Sequence, residues 1–226
     1  MTTIDIQRKT LNQQQTELRK LMGETDQHDT AIKLFLRVHA SYHTASISNE
    51  DVWSYQDALL DDVDDVVFRR IPQNEEHSIA WTFWHITRIE DTAMNVLVAG
   101  SEQVLYRDNW LPKLGTGIHH SGNAMTPEDV TALSATIDFP ALRGYRAAVG
   151  RRTREIALSL QPGDLSKPVD PVRLEQVMAQ KALLEAAMGV KDYWGKRTIA
   201  GLLLMPASRH ILVHLNEALK LKKKRR

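Results

Sequence analysis

The stretch "SIAWTFWHITRIEDTAMNVLVAG", residues 78–100, restricts the fold more than any other part of the chain. It reads as one helix from about Ser78 to Val98, stopped at Gly100. It is apolar enough to be core, yet it carries His85, Arg88, Glu90 and Asp91. A helix of this kind is stable only if other helices enclose it. A polar ring at His85, between Trp84 and Ile86, costs free energy there unless something satisfies it.

The rest of the chain offers helices for the purpose. Ile32, Leu34, Phe35, Leu36 and Val38 predict a buried helix over about 30–46. Residues 51–57, and on to 62, form helical turns by the spacing of Val52, Trp53, Leu59, Leu60 and Val63. Thr126 caps a short helix with Pro127 at its first position and acids in its first turn. Leu142, Tyr145, Val149, Ile156 and Leu160 mark the core face of a helix over 139–161. Residues 171–188 read as another, and the last runs over about 198–221. Pro206 should kink that last helix or begin a new one. β alternation and internal repeats are absent. The expected class is all-α, a four-helix bundle with additional short helices and long connections. Three parts are expected: a polar arm or loosely attached helix over 1–27, a bundle over 28–222, and a solvated basic tail over 223–226.

Composition narrows the chemistry. With 226 residues the chain can build one sizeable core. Its net charge of +1 gives no overall field towards nucleic acid or an acidic membrane. It has no cysteine, so thiolate nucleophiles and Cys-type zinc sites are excluded. A transition-metal site must then use His, Asp or Glu. The polar N-terminus lacks the apolar core of a signal peptide. No uncharged apolar run nears the roughly 18 residues of a membrane span. A cytoplasmic protein follows as the expectation.

His210 and His214, in "SRHILVHLNEA", lie four apart on one helix face, and two imidazoles so placed can share a divalent ion. His85 is the best third ligand. A rival pair, His39 and His43 in "RVHASYHTAS", has the same spacing, and spacing alone does not separate them. Glu90 and Asp91 have turned off the face of His85, so they read as solvated charges or a salt bridge with Arg88. Glu217 reads as an outer partner of the His pair or a surface acid. Trp81 and Trp84 read as packing, with a tryptophan able to wall a pocket. His119 and His120, in a glycine-rich loop, read as exposed residues able to lid a site.

"NEEHSIAWTFWHITRIEDTAMN" and "TIAGLLLMPASRHILVHLNEAL" together resemble the DinB-like superfamily of four-helix-bundle metalloproteins. The resemblance implies metal ligands at His85, His210 and His214, with His39, His43 and Glu217 as outer neighbours. It also implies a bound divalent ion, zinc, nickel or iron, and thiol S-transfer or hydrolysis on a small molecule. A low-molecular-weight thiol would then arrive as cofactor or substrate, and a homodimer is expected. The alternative expectation is a bundle that has lost catalysis and serves as a binding or stress-associated module.

Overall fold

The computed structural model describes residues 3–224; Arg225 and Arg226 of the basic tail lie outside them. Helix α1 spans Thr3–Leu21 and α2 spans His28–Tyr42. The apolar stretch forms α3, Ile79–Asp91, which runs on through a π-helical segment, Thr92–Ala99. Helix α4 is Phe139–Ser159. The C-terminal helix is built in three pieces: α5, Ile199–Leu204, a π-helical turn, Met205–Arg209, and α6, His210–Lys223. Among the described residues the only β feature is a single bridge between Pro168 and Thr198.

Helices α2, α3, α4 and α6 make the bundle, with α3 packed against both α4 and α6. Every residue of α3 is buried, as its composition requires. Ser78 caps it, its hydroxyl accepting from the Trp81 amide at 2.9 Å. Gly100 ends the π segment at φ 63, in the left-handed region that glycine enters freely. The Thr126 start is a full capping box with Asp129.

Two expectations are corrected. The N-terminal arm is a regular helix docked on α2, because Leu11, Leu18 and Leu21 recur on one face and are buried. Full burial of one such leucine contributes roughly 1.5–3 kcal/mol. The helix over 171–188 ends at Ala179, where Lys181 takes φ 53, and a new one, Met188–Gly195, starts later. The expectation at Pro206 is met: the α-helix stops at Leu204, a π-helical turn carries Pro206, and a new α-helix begins at His210. The missing proline N–H is absorbed by a wider turn, and the Ser208 hydroxyl donates to the Leu203 and Leu204 carbonyls at 2.9 and 2.8 Å.

Candidate metal centre

The π turn sets the face that α6 shows to the core. His210 is its first residue and His214 lies one turn on, so both rings meet α3 at His85. The ring centroids of His85 lie 4.9 Å from His210 and 4.8 Å from His214, and those of His210 and His214 are 4.5 Å apart. One ligand atom from each of the three falls within 4.8 Å of the others. His85 Nε2 is 3.1 Å from His210 Nε2. Two nitrogens each ~2.0–2.1 Å from one ion are held about this far apart.

The outer nitrogens of two rings are committed. His85 Nδ1–H donates to the Ser121 carbonyl at 2.8 Å, which leaves Nε2 as the free lone pair. His214 Nδ1–H donates to the Glu217 carboxylate at 2.5 Å and frees its Nε2 in the same way. His210 Nδ1 is buried and has no hydrogen-bond partner. Burial, then the neighbouring His214, pushes the His85 imidazole down to about 3. Burial and the two facing histidines hold His210 well below its ordinary value. Burial lowers His214 too, opposed by Glu217. Three neutral imidazoles therefore face one another at neutral pH, with His210 Nε2–H donating to the free Nε2 of His85 at 3.1 Å, a proton that a metal ion would displace.

Trp81 walls the centre. Its ring stacks on His85 at 4.7 Å and 8°, and His77 stacks on its other face at 3.6 Å and 18°. The side bearing His214 opens to a groove of about 560 Å³, lined also by Thr82, His77, Glu217 and Lys220. The opposite side is closed by the 119–122 backbone. The carbonyls of His119, His120 and Ser121 accept in turn from Arg88, Trp84 Nε1 and His85. His119 and His120 are thus half-buried, not exposed, since their backbone is needed by buried donors.

Arg88 is the anchor of that strap. Its guanidinium is fully buried and also donates to Asp91, Tyr145 and Gln103 at 3.0, 2.8 and 2.6 Å. The Arg88–Asp91 pair matches the salt-bridge reading, but neither residue is solvated.

His39 and His43 belong to a second cluster. Their Nε2–H groups donate to the two oxygens of Glu90 at 2.7 and 2.9 Å, and Arg146 Nη1 lies 3.7 Å from the same carboxylate. All four side chains are fully buried. Glu90 is therefore an internal charge, because α3 has no solvent face on which to place it. No hydrogen bond among the described residues joins this pair to His85, His210 or His214. Gly150 admits His43: a Cβ there would stand 2.7 Å from His43 Nδ1. Burial and the Arg146 charge push His43 down to about 3. By atom spacing this cluster could also hold an ion. Arg146, however, already balances Glu90, and a dication beside a buried guanidinium would be repelled with little screening.

The family model described as the DinB superfamily matches residues 49–217. The matched span holds His85, His210 and His214 and excludes His39 and His43. No curated protein matches the chain.

Proposed function

This chain belongs to the DinB superfamily, and we propose that it is a metal-dependent thiol S-transferase or hydrolase of a small molecule, with His85, His210 and His214 as its metal ligands. The convergence of three neutral ring nitrogens, two fixed from behind by oxygen acceptors, carries this reading. The donor set fits: three imidazoles suit zinc, nickel or iron, and fewer protein ligands than a closed structural site leave room for substrate. A bound dication there would lower the pKa of a thiol or a water and supply a nucleophile near neutral pH.

The chain's own residues complete the arrangement. Ser121 and Glu217 hold the His85 and His214 rings in one tautomer and one orientation. Trp81 and the 119–122 strap exclude water from one side. The groove beside His214 is of small-molecule size and gives access from the other. A thiol must come with the substrate, since the chain has none of its own. No helix among the described residues is long and apolar enough to cross a membrane. A cytoplasmic homodimer without nucleic-acid or membrane partners completes the proposal.

Cobalt(II)-loaded protein tests the thiol branch. Titration with 2-mercaptoethanol should produce a sulfur-to-cobalt charge-transfer band in the near ultraviolet, absent from the His214→Ala variant. A wild-type spectrum that does not change would remove thiol transfer and leave hydrolysis.

A further inference from the structure

A second groove, on the face where α1 crosses the C-terminal helix, has a different chemistry. It encloses about 560 Å³. Three arginines line it, Arg19 from α1, Arg197 from just before α5, and Arg209 from the π turn, and no carboxylate does. The ion pairs of the described residues leave all three out. The chain as a whole carries only +1, so this is a local concentration of charge and not a share of a basic surface.

Two of the three arginines are held in place. Arg197 lies over the ring of Tyr193 at 4.1 Å, and its Nε–H donates to the Tyr193 carbonyl at 3.4 Å. Its stem crosses Gly201, where a Cβ would meet Arg197 Cβ at 3.2 Å and Cδ at 3.4 Å. Glycine at this position lets the side chain lie flat across α5. Arg209 Nη1 donates to Asn12 Oδ1 at 3.2 Å, which ties the π turn to α1. Stacking and backbone contact fix Arg197 through its ring face and Nε, so its terminal N–H groups stay available. A pre-ordered guanidinium loses little side-chain freedom on binding, and its planar fork matches phosphate and carboxylate oxygens.

From this geometry we infer that the groove binds a small oxyanionic ligand, a phosphate ester or polycarboxylate, between Arg19, Arg197 and Arg209. The site is separate from the three-histidine centre. Arg209 precedes His210 in the chain, but it is exposed while the His210 ring faces His85.

Isothermal titration of tag-free, EDTA-dialysed protein with pyrophosphate, and in parallel with tricarballylate, tests this. The expected result is saturable one-to-one binding that weakens with added salt. It should fall about tenfold or more in the Arg197→Gln/Arg209→Gln variant, as loss of charge-assisted hydrogen bonds implies. The His85→Ala/His214→Ala variant should bind as the wild type does, which separates this groove from the metal reading. Tighter pyrophosphate binding identifies a phosphate site, and equal binding a general oxyanion site. Circular dichroism of the arginine variant should match the wild type, since both side chains are at the surface. No saturable binding at millimolar anion overturns the inference. So does binding that the arginine substitutions leave unchanged, or that only the histidine substitutions abolish.

Discussion

His85 donates its Nδ1 proton to the backbone carbonyl of Ser121 at 2.8 Å, and this bond fixes which nitrogen faces His210. The loop carbonyl thus matters to the centre although no side chain of the loop enters it. The position of Ser121 depends in turn on Gly122, which has φ +87 and lies against the Trp81 ring.

Gly122→Ala should therefore act on the centre from outside. A Cβ would stand 3.1 Å from Trp81 Nε1, and an L-residue at this φ costs roughly 1–2 kcal/mol. Lower stability in urea together with weaker metal affinity is expected. A variant as stable as the wild type, with unchanged affinity, would show that the strap does not position His85.

Glu90→Gln separates the two histidine clusters. It removes the charge that compensates Arg146 while leaving side-chain volume almost unchanged. Breaking a buried pair in this way costs about 3–5 kcal/mol, read as a shift of the urea midpoint. The folded fraction should keep its full metal content, because Glu90 supports His39 and His43 and is no ligand. Metal loss without a stability change would assign the ion to the other cluster.

Stability without metal should fall on acidification. His43 and His85 are both held down to about 3 in the folded chain, against 6.5 unfolded. Below pH 6.5 the unfolded state takes up protons that the folded state refuses, so stability is full above 6.5 and is lost as pH falls towards 3. Each group contributes a loss of ~2 kcal/mol between pH 7 and pH 5. Urea unfolding in EDTA at the two values measures it; equal midpoints would mean that neither imidazole is buried neutral.

Much of the bundle was legible in the sequence because its helices carry clear apolar faces. The 78–98 stretch declared a core helix, and α3 with its π extension covers it almost residue for residue. The same density of apolar residues was the sign that Glu90 and Asp91 had no solvent to reach, and reading them by helical angle alone missed it. The two H-x-x-x-H pairs were equivalent by spacing. The family resemblance chose between them, and the tertiary placement supplies the physical difference, one pair facing His85 and the other closing on Glu90. The strap at 119–122 acts through backbone carbonyls, which leave no residue-type signal. The basic groove joins residues from both ends of the chain, so no local window could show it.

Elemental analysis of tag-free protein tests the central claim most directly. One divalent ion per chain is expected in the wild type. His85→Ala and His214→Ala should each strip most of it, since two imidazoles make a weak site, while His39→Ala should keep it. Retention in His85→Ala and His214→Ala with loss in His39→Ala would contradict the account, as would a folded wild-type protein that binds no metal at all.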